Sequence, residues 1–121
     1  MFRLNPANVQ VNIPDDIPGF LKPRKPIGIR EHSWLARMAA AKLGTERVAI
    51  VIGHTIHLSG ISSDDFLQNK AWFRHELCHV KQYEANGLVP FIVRYLWESL
   101  RNGYWQNRFE VEARKAETGE V

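Results

Sequence analysis

The run from Ala71 to Glu84 carries neither proline nor glycine and reads as one helix. Within it, His75-Glu76-Leu77-Cys78-His79 sets two histidines four residues apart. At 3.6 residues per turn they stand one turn above each other, roughly 40° apart around the axis, so both imidazoles reach a single ion. Glu76 lies on the same face, close enough to hold a water against that ion. Asn69 or Asp65 is placed to cap this helix, and Asn86-Gly87 gives it a C-terminal stop. The remainder of the chain is read around this element.

With 121 residues, 45% hydrophobic and 24% charged, the chain has the balance of one globular domain. At that length it buries about two thirds of its unfolded surface. The net charge of +3 is mild, and the densest basic stretch, Lys22 to Arg30, is interrupted by prolines, so nucleic acid is not an expected partner. A single cysteine leaves no internal disulfide. The start, Met1 to Pro6, lacks a signal-peptide core, and no run approaches 18 apolar residues. A cytoplasmic protein without a membrane span is expected.

The first thirty residues hold five of the six prolines: Pro6, Pro14, Pro18, Pro23 and Pro26. Residues 1–30 therefore read as a wrapping arm in which neither helix nor regular ladder pairing is expected. Its apolar anchors are Val9, Val11, Ile13, Ile17, Phe20 and Leu21. Residues 31–121 form the domain itself. Ser33 caps a helix from Trp34 to about Leu43, with Trp34, Leu35, Met38 and Ala39 as its packing face and Gly44 as its stop. Arg47 to Ile52 and Thr55 to Leu58, joined by Gly53-His54, read as a β-hairpin, its first strand covered on both faces. His54 and His57 on so short a hairpin read as polar-face residues rather than ligands. Gly60 to Asp65 is a connecting loop. Pro90 opens a third helix to about Arg101, whose stripe of Ile92, Val93, Leu96, Trp97 and Leu100 reads as core; Asn102-Gly103 closes it. A last helix starts near Asn107. The fold class is α+β and mostly helical, with one hairpin beside the motif helix and two further C-terminal helices.

The hairpin VAIVIGHTIHL, a loop, HELCHVKQYE on a helix and a later helix opening NRFEVEAR together resemble a small zincin domain of the gluzincin type. More narrowly they resemble compact bacterial metallopeptidase domains of otherwise unknown function, over about Val48 to Ala116. The resemblance implies a zinc-dependent peptidase acting on a peptide or protein. It makes His75 and His79 two metal ligands, Glu76 the general base and Glu110 the third ligand, with Ala113 as the small residue three positions on. It also implies that Thr55 to Leu58 is an edge strand aligning an extended peptide.

The residues themselves agree with that chemistry. Two neutral imidazoles and a carboxylate are the ligand set of a catalytic zinc site with one position left for water. Glu110 and Glu112 point about 160° apart on one helix, so only one can face the histidines. Glu112 inward would bring Lys115 beside the cation, which favours Glu110. Other readings stand beside these. Asn107-Arg108-Phe109-Glu110 has capping-box spacing, so Glu110 is also placed to bond back to the cap. Cys78 reads as a small buried hydrophobe. Tyr95, Tyr104 and His32 are unranked candidates for the donor to a developing oxyanion. The alternative function is a catalytically silent domain of the same kind, holding metal as a binding or structural module.

Overall fold

The structure, a computed structural model, describes residues 9–119; Pro6 lies outside that range. The architecture is α+β and predominantly helical, as expected. Four strands, β1 (Val9–Val11), β2 (Ile27–Arg30), β3 (Val48–Ile52) and β4 (Thr55–Ser59), form one sheet in the order β1-β2-β4-β3. Five helices accompany it: α1 (Trp34–Leu43), α2 (Ser63–Gln68), α3 (Lys70–Asn86), α4 (Leu88–Gln106) and α5 (Arg108–Ala116).

The expectation that the prolines deny ladder pairing is corrected. They sit beside the strands rather than in them: Pro26 precedes β2, and Pro18 caps a short 3-10 turn, Gly19–Leu21. β1 and β2 pair antiparallel, and β2 runs parallel to β4 with Ile29 opposite Ile56. Residues from this arm are core residues, with Ile17, Leu21, Ile27 and Ile29 all buried. The hairpin is therefore half of a larger sheet. β3 and β4 pair antiparallel around Gly53-His54, with Ile52 opposite Thr55. A second correction follows from the strand order. β4 is paired on both sides and is not an edge; the free edge of the hairpin belongs to β3.

Alternation along the hairpin divides two layers. Ile56, Leu58, Val51 and Ala49 join the main core under α3, α4 and α5, whereas Val48 and Ile50 meet α1 on the other face. The bounds of α1 are as read, with Ser33 Oγ accepting from Ala36 N–H and Gly44 in the left-handed region. Its packing face is not. Ala36 and Ala40 are buried, while Trp34 and Met38 are each about 60% exposed. The sheet surface sits close to α1, and alanines allow that approach where tryptophan does not. The loop expected at Gly60 to Asp65 ends in α2, capped by Ser62. Gly87 ends α3 and Gly103 breaks α4 with a non-helical backbone, so the helix stops read at both glycines are observed. Among the described residues, no helix is long and apolar enough to cross a membrane.

Candidate metal centre

Asn69 Oδ1 accepts from Trp72 N–H and starts α3 in the register that turns His75, Glu76 and His79 toward α5. Asn107 fixes the facing helix. Fully buried, it accepts from Phe109 N–H and donates through Nδ2 to Tyr95 O and Ser99 Oγ, tying the start of α5 to α4. Ala113 is completely buried between α3 and α5, the small residue that lets the two helices approach.

Across this interface His75 Nε2 lies 3.0 Å from Glu110 Oε1, and His79 Nε2 lies 3.2 Å from Glu110 Oε2. One donor atom from each of the three residues falls within 4.8 Å of the others. Glu110 does not serve the cap: Asn107 takes that role, and the Glu110 carboxylate accepts from the hydroxyls of Tyr95 and Tyr104 instead. Glu112 is exposed on the opposite side. It accepts from Gln82 Nε2 at 2.6 Å.

The outer nitrogens of both rings are also held. His75 Nδ1 lies 2.9 Å from Glu117 Oε2, and His79 Nδ1 lies 2.8 Å from Gln82 Oε1. Each of these oxygens accepts only, so each Nδ1 carries a proton, and whenever a ring is neutral its Nε2 lone pair faces Glu110. Two lone pairs facing a carboxylate repel it unless protons or a cation lie between them. That donor set fits a divalent ion with nitrogen and oxygen preference, and the Glu117 and Gln82 contacts are the orienting bonds such ligands carry.

The titration behaviour of the cluster without metal expresses the same conflict. Burial pushes His75 down, but its hydrogen bond to the Glu110 carboxylate, the charge of Glu76 and its bond to Glu117 outweigh burial and raise it to about 9. His79 is likewise raised against its burial by Glu110 and Glu76. Burial pushes Glu110 up, yet the bonds from His75, His79 and Tyr95 hold it well below the usual carboxylate range. Glu76 is raised, chiefly by burial, and accepts from the Trp72 indole N–H at 3.1 Å.

Comparisons of this chain with family models, with curated proteins and with solved structures find no match.

The other candidates separate clearly. His54 donates to Glu84, and His57 meets Ser33 Oγ at 2.9 Å on the α1 side of the sheet, so neither enters the cluster. His32 is exposed beside Glu31, whereas Tyr95 and Tyr104 both reach Glu110. Cys78 is buried, and burial with Glu112 nearby pushes its thiol up to about 12, far from reactive. Sequence reasoning did not single out Trp72, Gln82 or Glu117. Trp72 is four residues before Glu76 and Gln82 three after His79, a helical spacing that places them on the same face; Glu117 lies beyond the end of α5 and has no such signal.

Proposed function

We propose that this chain is a zinc-dependent peptidase of the gluzincin type, with His75, His79 and Glu110 holding the metal and Glu76 as general base. The observation that carries the reading is the convergence of His75 Nε2, His79 Nε2 and the Glu110 carboxylate while both Nδ1 atoms are anchored from behind. When bound, zinc lowers the pKa of a coordinated water to about 7 and polarises a carbonyl oxygen.

Glu76 takes the proton of the attacking water and returns it to the departing amine. Glu76 is buried, and the Trp72 indole N–H donates to its carboxylate and holds it in place. Tyr95 stays on Glu110 and keeps that carboxylate oriented. Tyr104, 58% exposed and with a longer 3.3 Å contact to Glu110, is free to turn its hydroxyl to the developing oxyanion. The free edge of β3 packs beside α3 and offers main-chain groups to an extended peptide, which supports a peptide as substrate class.

The test is metal analysis of purified protein followed by digestion of a peptide library. We expect one zinc per chain, cleavage by the wild type, and no cleavage by Glu76→Gln with its zinc retained. Stoichiometric zinc with no cleavage of any library member would transfer the site to the binding-module reading. Absence of stoichiometric zinc would sink both.

A further inference from the structure

Of the apolar stripe of α4 that the sequence assigns to the core, Ile92 packs against it, while Val93, Leu96, Trp97 and Leu100 lie on the outside, joined there by Val89. Val89, Val93, Leu96, Trp97 and Leu100 are 65%, 59%, 61%, 56% and 80% exposed. On a 3.6-residue helix they occupy roughly 100° of arc. The core is reached from the opposite side through Phe91 and Tyr95. α4 is thus apolar on both faces, and only one face has a partner among the described residues.

We propose that this outer face is the interface of a homodimer, a second copy of the chain packing along α4. Three observations favour that occupant. Val89, Val93, Leu96 and Leu100 are spaced four, three and four residues apart, the seam by which one helix packs along another, and a two-fold axis sets such a seam against itself. No charged residue falls within the arc; Arg94 and Arg101 lie to one flank. The exposed parts of these five side chains amount to roughly 600 Å² of apolar surface. That stands at the upper end of the largest patches of monomers, about 300–600 Å², and approaches the roughly 800 Å² each partner contributes to a stable interface.

A lipid surface is the other apolar occupant, and it calls for a basic polar face on the same helix. α4 has only Arg94, Glu98 and Arg101 as charged residues, and its second face is buried in the core. The helix is built to lie between two proteins.

The placement bears on the candidate site. Past the break at Gly103, the apolar surface ends at Tyr104 and Trp105, and the Tyr104 hydroxyl contacts Glu110. On the peptidase reading, a second copy along α4 therefore lies beside the site on its Tyr104 side.

Sedimentation velocity of the full chain, from about 1 to 200 µM, tests the dimer. We expect the mass of two chains, and at least a hundredfold weaker association in the double variant Leu96→Glu with Leu100→Glu. These side chains are exposed in the single chain, so the far-ultraviolet circular dichroism and zinc content of the variant should match the wild type. Val93→Glu is the second variant, used if the double one loses its fold. A wild type that stays monomeric to 200 µM overturns the proposal, as does a dimer that both variants leave intact. A monomer that co-sediments with anionic phospholipid vesicles also overturns it, in favour of lipid. Dimerisation is read without metal or substrate, so its failure with zinc bound would leave the peptidase reading standing, and the reverse result would do the opposite.

Discussion

Glu110 and Glu112 show how two residues of one type, two positions apart, divide their work. Helical geometry sends them to opposite sides of α5. Glu110 is 3% exposed and faces both histidines and two tyrosine hydroxyls, while Glu112 accepts from Gln82 at the other side of α3. On the proposed zinc reading, Glu110→Gln should weaken zinc binding at least a hundredfold, because it would remove a ligand and its charge together. Glu112→Gln should stay within about tenfold, since it acts only through Gln82 and His79. Isothermal titration with zinc against a competing chelator distinguishes them; a larger loss in Glu112→Gln would exchange the two assignments. Which glutamate faces inward was argued from spacing and from the position of Lys115. That Glu117 reaches back to His75 was not legible, because its partner is 42 residues away and no local pattern encodes the pair.

At the scale of elements, the boundaries of helices were the most readable feature. Ser33, Gly44, Asn69, Gly87, Gly103 and Asn107 all mark ends that the structure observes, since caps are satisfied within a few residues of sequence. The faces of those helices were less readable. Periodicity shows that α1 and α4 each have an apolar stripe, but not whether it meets the sheet or the outside. Gly60, just after β4, is an element-scale constraint of another kind. It has a φ of 78°, and a Cβ there would come within 1.8 Å of Glu46 O, where the chain enters β3. Both backbones are fixed by the hairpin, so neither can yield. Gly60→Ala should destabilise the protein by about 2–4 kcal/mol in urea unfolding at 25 °C. A change below about 0.5 kcal/mol would mean that this close approach is not kept in solution.

Across the whole molecule, Glu84 joins segments far apart in the chain. Its carboxylate, 4% exposed, accepts from Arg24 N–H in the arm, from His54 in the hairpin turn and from Lys81 on α3. Burial pushes its pKa up, but these bonds outweigh burial and lower it to about 2 from a reference of 4.5. The folded state therefore holds the carboxylate in its charged form more strongly than the unfolded chain does. That stabilisation is complete above pH about 5 and is lost as the pH falls toward 2. At neutral pH it is worth about 2 kcal/mol, allowing for the exposed Arg24 side chain. Denaturant unfolding of the wild type and Glu84→Gln from pH 7 to 2.5 should show the wild-type advantage shrinking over that interval. An advantage independent of pH would show that Glu84 contributes packing rather than charge.

The motif helix, its cap, its stop and the turning of two imidazoles and the Glu76 carboxylate to one side of it follow from residues within about twenty positions of each other. Such features depend on local hydrogen bonds and on a fixed helical period, which the sequence by itself determines. The joining of the arm to the sheet, the inner position of β4, the outward face of α4 and the bonds from Glu117 and Tyr95 to the site were decided by the tertiary structure. They depend on which surfaces the packed core covers and on pairings between distant segments. Neither has a period that a linear chain displays.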